Sequence, residues 1–157
     1  MSFASRTGRG QGAGLLLLRV VTAAALAVVA YTHADLASQY DGIQGSISQG
    51  TLFVIEAAAA SFAALIVLVF GGRIGFALAA LVAARALGAI LLYRYVDVGT
   101  LGPLPNMYEP VWYPEKTTAA IAAAVATLAA VIGLAWSFAR RPGTAGRQSA
   151  PAGQPAR

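Results

Sequence analysis

Four runs of about twenty mostly apolar residues decide what this chain can fold into. They fall at about 15–34, 51–70, 74–96 and 117–138. At about 1.5 Å per residue each run is a helix as long as the roughly 30 Å hydrocarbon layer is thick. Lipid offers backbone N–H and C=O groups no partners, so a segment in it must satisfy them internally, as a helix does. The composition agrees: 58% of the 157 residues are hydrophobic and 11% charged, against about a quarter charged in soluble domains. The expected fold class is an all-α membrane protein, a four-transmembrane-helix bundle over residues 14–139. Residues 1–13 and 140–157 are rich in Gly, Arg, Ser and Pro and read as a disordered basic arm and tail.

The connections differ in kind. Gly71-Gly72-Arg73 leaves room only for a tight turn, so the second and third helices form an antiparallel hairpin. Residues 35–50 are polar and rich in Gly, Ser and Gln. Residues 97–116 carry Pro103, Pro105, Pro110 and Pro114 with Tyr108, Trp112 and Tyr113, which predicts a stiff loop. Thr51 is expected to cap the second helix.

Charge placement predicts orientation. Arg6, Arg9, Arg73, Arg140, Arg141, Arg147 and Arg157 fall on one side of a four-span arrangement, against Arg94 and Lys116 on the other. By the positive-inside rule both termini are cytoplasmic, N-in/C-in, in a bacterial plasma membrane. The tyrosines, at 31, 40, 93, 95, 108 and 113, then lie in the outer half. A competing reading makes Val20 to Ala30 the apolar core of a signal peptide cut after Ala30, leaving three spans. The full length of the run from Leu15 favours a retained helix.

Two charges lie deep in the spans. Glu56 is about 5 residues and Arg85 about 10 residues from the outer helix ends, an axial offset of roughly 7 Å that an arginine can bridge. Either charge alone would cost about 2.5–3.5 kcal/mol at the bilayer centre. An ion pair inside the bundle is therefore expected, as a register pin or as a transport group. Arg19 is expected to snorkel to the headgroups. Small-residue ridges at Ala80, Ala84 and Gly88, at Ala122, Ala126 and Ala130, and at Ala23 and Ala27 are candidate helix contacts.

Chemistry is sparsely signalled. Without cysteine there is no disulfide, thiolate nucleophile or Cys-held metal. His33 is the single histidine; with Asp35, Asp41 and Glu109 it makes a candidate outer cation site, against a plain hydrogen-bonded interfacial histidine. No Walker, dinucleotide or zinc-protease motif occurs, haem is disfavoured by the lone histidine, and the basic residues form no nucleic-acid face. No enzyme activity, no cofactor and no nucleic-acid partner are expected. Proline-free spans with few hydroxyls speak against a channel. Small multidrug transporters also have four short helices and a membrane glutamate, but in their first helix; here Glu56 is in the second.

Tyr31-Thr32-His33-Ala34-Asp35-Leu36, Gly50-Thr51-Leu52-Phe53, and Leu92-Tyr93-Arg94-Tyr95-Val96-Asp97 leading into Gly102-Pro103-Leu104-Pro105-Asn106-Met107-Tyr108-Glu109-Pro110 carry a resemblance. Over about Leu15 to Leu134 the chain resembles uncharacterised small four-helix integral membrane proteins of high-GC actinobacteria. The resemblance implies a lineage and a fold, and no activity. The functional expectation is an accessory subunit or scaffold, embedded in the lipid bilayer, meeting a membrane-protein partner or its own copy through Tyr108, Trp112 and Tyr113. The alternative is a small transporter or ion- or proton-binding protein using Glu56 and Arg85.

Overall fold

The computed structural model describes residues 4–43 and 45–139, with side chains from residue 12 onward. It contains α1 (Ala4–Ala37), α2 (Gln49–Val69), α3 (Gly72–Tyr95) and α4 (Pro114–Ala139). All four are long and apolar enough to cross a membrane, α1 through its Gly12–Ala37 part. The chain is thus an all-α, multi-pass membrane protein. The tail at 140–157 lies outside the described residues, as do residues 1–3 of the arm.

Helix starts follow capping chemistry more closely than hydropathy. α2 begins two residues before the apolar run because Ser48, not Thr51, is its cap: the Ser48 hydroxyl accepts from the Thr51 N–H at 3.0 Å and donates to Asp41 at 2.7 Å. α4 opens on Pro114, a residue suited to a first helical turn whose N–H groups have no intrahelical acceptor. α1 begins at Ala4, so the described part of the expected arm, residues 4–13, is helical. No proline interrupts it, and glycines weaken a helix without removing a hydrogen bond.

Neighbours in sequence are neighbours in space, and the ring closes. α1 packs along both α2 and α4, and α3 packs along α4; among neighbours round the ring α2 and α3 meet least, and across it α1 barely touches α3. At the hairpin end α2 and α3 approach closely, since a Cβ on Gly75 would stand 3.2 Å from the Val67 Cα. Gly71 and Gly72 turn there with φ of 56° and 65°, a region glycine enters at no steric cost. Arg19 does not snorkel. Its guanidinium crosses from α1 and donates to the carbonyls of Val67 at 3.2 Å, Val69 at 2.9 Å and Leu68. These carbonyls end α2, where Val67 also accepts from the Gly71 N–H at 3.1 Å, so the arginine serves the helix end and its dipole together.

The core is made largely of alanines: Ala60 and Ala63 of α2, Ala79, Ala83 and Ala86 of α3, and Ala123, Ala126 and Ala130 of α4 surround Leu26 and Val29 of α1 and Phe76 of α3. The Ala122, Ala126, Ala130 ridge is buried as expected, whereas Ala84, Gly88 and Ala27 are exposed. Each residue turns a helix by about 100°, so a ridge chosen for smallness alone can lie on the wrong face by one position. α3 packs through its neighbours Ala79, Ala83 and Ala86 instead.

Candidate functional site

The two loops fold back onto one end of the bundle. The Ile47 N–H donates to the Pro103 carbonyl at 3.2 Å, the Glu109 N–H to the Tyr93 carbonyl at 2.9 Å, and Pro105 is fully buried. Tyr113 and Tyr40 share a 2.8 Å hydroxyl hydrogen bond, and Tyr40 donates onward to the Glu109 carboxylate at 3.4 Å. Burial pushes both phenols up, and for Tyr113 donation to Tyr40 adds to the shift, so both stay neutral well beyond physiological pH. Lys116 is buried and donates to the Glu109 carbonyl, with the rings of Tyr113 and Trp112 5.7 Å and 6.0 Å away. Arg94 lies over Tyr95 and Trp112 at 5.0 Å and 5.6 Å.

Beneath this cover is a cavity of about 500 Å³, a volume suited to a small organic molecule. Leu52, Phe53, Ile55 and Glu56 of α2 face Arg85, Ala89, Ile90 and Leu92 of α3 across it, with His33 and Tyr40 from the α1 side and Leu104, Met107 and Glu109 above. Ile55, Arg85 and Leu92 are its exposed lining residues. All three belong to α2 and α3, so the mouth lies along the least-packed seam of the ring, within the spans.

Glu56 and Arg85 form the ion pair the sequence led one to expect. Its halves are unequal: the Glu56 side chain is 7% exposed and the Arg85 side chain 55%, so the carboxylate forms the inner wall and the guanidinium stands at the mouth. Glu56 Oε2 meets Arg85, whereas Oε1 is buried and accepts no hydrogen bond within the described residues. Gln49, two turns away on the same helix, has a buried Oε1 in the same condition.

The candidate cation site does not assemble. His33 is buried, held by a 2.8 Å hydrogen bond to the Val29 carbonyl and an edge contact with Phe53, while Asp35 and Asp41 are exposed. Asp41 is occupied at the α2 cap and Glu109 beside Tyr40. Among the described residues no cluster of three or more His, Asp or Glu side chains can hold a metal. The physical reason is helical phase: His33 faces the interior, and Asp35, two residues on, turns out. The outer-loop trio also divides, with Tyr108 and Trp112 partly exposed and Tyr113 turned inward onto Tyr40.

Sequence reasoning missed the cavity itself and the roles of Gln49, Tyr40 and Lys116. A signal was present, since Gln49, Glu56 and Phe53 share one face of α2 at spacings of 3, 4 and 7 residues, which places polar atoms and an aromatic ring along one line. Comparison with known protein families, curated proteins and solved structures found no match to this chain.

Proposed function

We propose that this chain is a bacterial plasma-membrane protein, loop end outward, that binds a small bilayer-soluble molecule between α2 and α3. The observation that carries this reading is the buried Glu56 carboxylate, paired with a half-exposed arginine inside a cavity whose mouth lies within the spans. Charged groups within spans are costly even when paired and, where they persist, mark functional paths. The proline-rich loop supports binding more than partner docking, because Leu104, Met107, Glu109 and Tyr113 are spent on roofing the cavity. The proposed action is binding, not catalysis.

Two outcomes follow. Purified in mild detergent and examined by native mass spectrometry, the protein should carry a small molecule that Ala89→Trp, which fills the cavity, removes. A bare protein in both cases would contradict the reading. For the orientation, the cysteine-free sequence allows single-cysteine labelling without background. A membrane-impermeant maleimide should label Thr100→Cys in intact cells and Ala139→Cys only after permeabilisation; the reverse pattern would invert the topology.

A further inference from the structure

Among the described residues, the buried side-chain atoms of the cavity lining that lack a partner are acceptors. Glu56 Oε1 is buried and accepts no hydrogen bond within the described residues, and Gln49 contributes a second buried carbonyl oxygen in the same condition. His33 adds a third acceptor when its ring is neutral. Its Nδ1 lies 2.8 Å from the Val29 carbonyl, which can only accept, so Nδ1 carries a proton and a neutral ring then keeps its lone pair on Nε2. All three side chains line the same cavity. A buried acceptor without a donor is a standing cost, removed by a ligand that brings one.

The formal charges lining the cavity cancel. Glu56 and Glu109 face Arg85 and Lys116, so a charged head would unbalance a site that is neutral as a whole. The mouth, bounded by Ile55, Arg85 and Leu92, lies within the apolar spans, which favours a molecule already dissolved in the bilayer. Resting on the binding reading above, we infer that the cavity selects an uncharged amphiphile whose head donates a hydrogen bond, a phenol or hydroxyl, with the Glu56 carboxylate as its acceptor and Arg85 holding that carboxylate in place.

The test uses the full chain in lipid nanodiscs and four probes of matched tail: para-octylphenol, para-octylanisole, octanoate and octyltrimethylammonium. Binding is measured by calorimetry with bilayer partitioning subtracted. The phenol should bind saturably and about tenfold or more tightly than the anisole, which has the same ring and no donor. That preference should fall to about threefold or less in Glu56→Leu/Arg85→Leu, which removes both charges together, and Ala89→Trp should abolish saturable binding of either probe. Equal binding of phenol and anisole by the unmodified chain would overturn the hydrogen-bond assignment and leave the cavity reading intact. Tighter binding of octanoate or the ammonium would overturn the uncharged class alone. No saturable binding of any probe, or binding indifferent to Ala89→Trp, would overturn the binding reading as well. Because the phenol–anisole comparison needs no variant, a double variant that fails to fold does not remove the test.

Discussion

Arg85→Leu should lower the stability of the folded bundle by about 3 kcal/mol, whereas Glu56→Leu/Arg85→Leu should recover most of that loss. The asymmetry comes from burial. With Arg85 gone, Glu56 keeps a buried carboxylate whose Oε2 has lost its partner and whose Oε1 had none. It must then remain charged in a low-dielectric wall or take up a proton, and either route costs free energy. The figure is set at the lower end of what breaking a buried pair costs, because the Arg85 side chain is 55% exposed and gives up less on removal. Taking both charges away leaves leucines in an apolar seam, a replacement that is often neutral or stabilising. Equilibrium unfolding in mixed micelles, followed by circular dichroism, measures all three chains. A single variant as stable as the parent, or a double variant as damaged as the single, would show that the pair does not hold α2 to α3.

The second large effect is a sign reversal between two glycines given the same substitution. Gly50→Ala should destabilise by about 2 kcal/mol, and Gly88→Ala should stabilise by up to about 1 kcal/mol. Both glycines are helical, and helix propensity alone favours alanine at each. At Gly50 an added Cβ would sit 2.9 Å from the Asp41 Cα and 3.0 Å from its nitrogen, and closer still to the Ala37 carbonyl. These are backbone atoms of the α1–α2 corner, which cannot swing aside as a side-chain tip can. The Gly50 N–H also donates to the Tyr40 carbonyl at 3.2 Å, so the corner is tied to this approach. At Gly88 nothing lies within 4 Å of the added carbon, so the propensity gain is unopposed. Thermal unfolding of the two variants in one detergent checks this; a loss at Gly88 would mean that this face of α3 is covered in the membrane.

The features legible in the sequence were those set by single-residue chemistry summed over a span. Four apolar runs, the Gly71-Gly72 turn and the Glu56–Arg85 pair all follow from what lipid does to backbone, polar groups and charges. Features that depend on rotation about a helix axis were less legible. His33 and Asp35 are close in sequence yet diverge, and Ala84 and Gly88 have the right size on the wrong face. The Arg19 cap was hidden because a basic residue near a span end fits two partners, headgroups or carbonyls, and only the position of α2 decides between them. The cavity was hidden for a related reason: it arises where α2 and α3 part beyond the tight packing at Gly75, and no single residue encodes that divergence.

The central claim, that a bilayer-soluble molecule occupies the seam between α2 and α3, is tested most directly by photolabelling the protein in lipid with an alkyl-diazirine alcohol and mapping the adducts. The account expects saturable labelling concentrated on Phe53, Glu56, Ile90 and Leu92, which line the cavity, and its loss in Ala89→Trp. Adducts spread evenly over lipid-facing positions such as Leu65, Leu128 and Ile132, which are exposed far from the seam's mouth, and unchanged by that substitution, would contradict it.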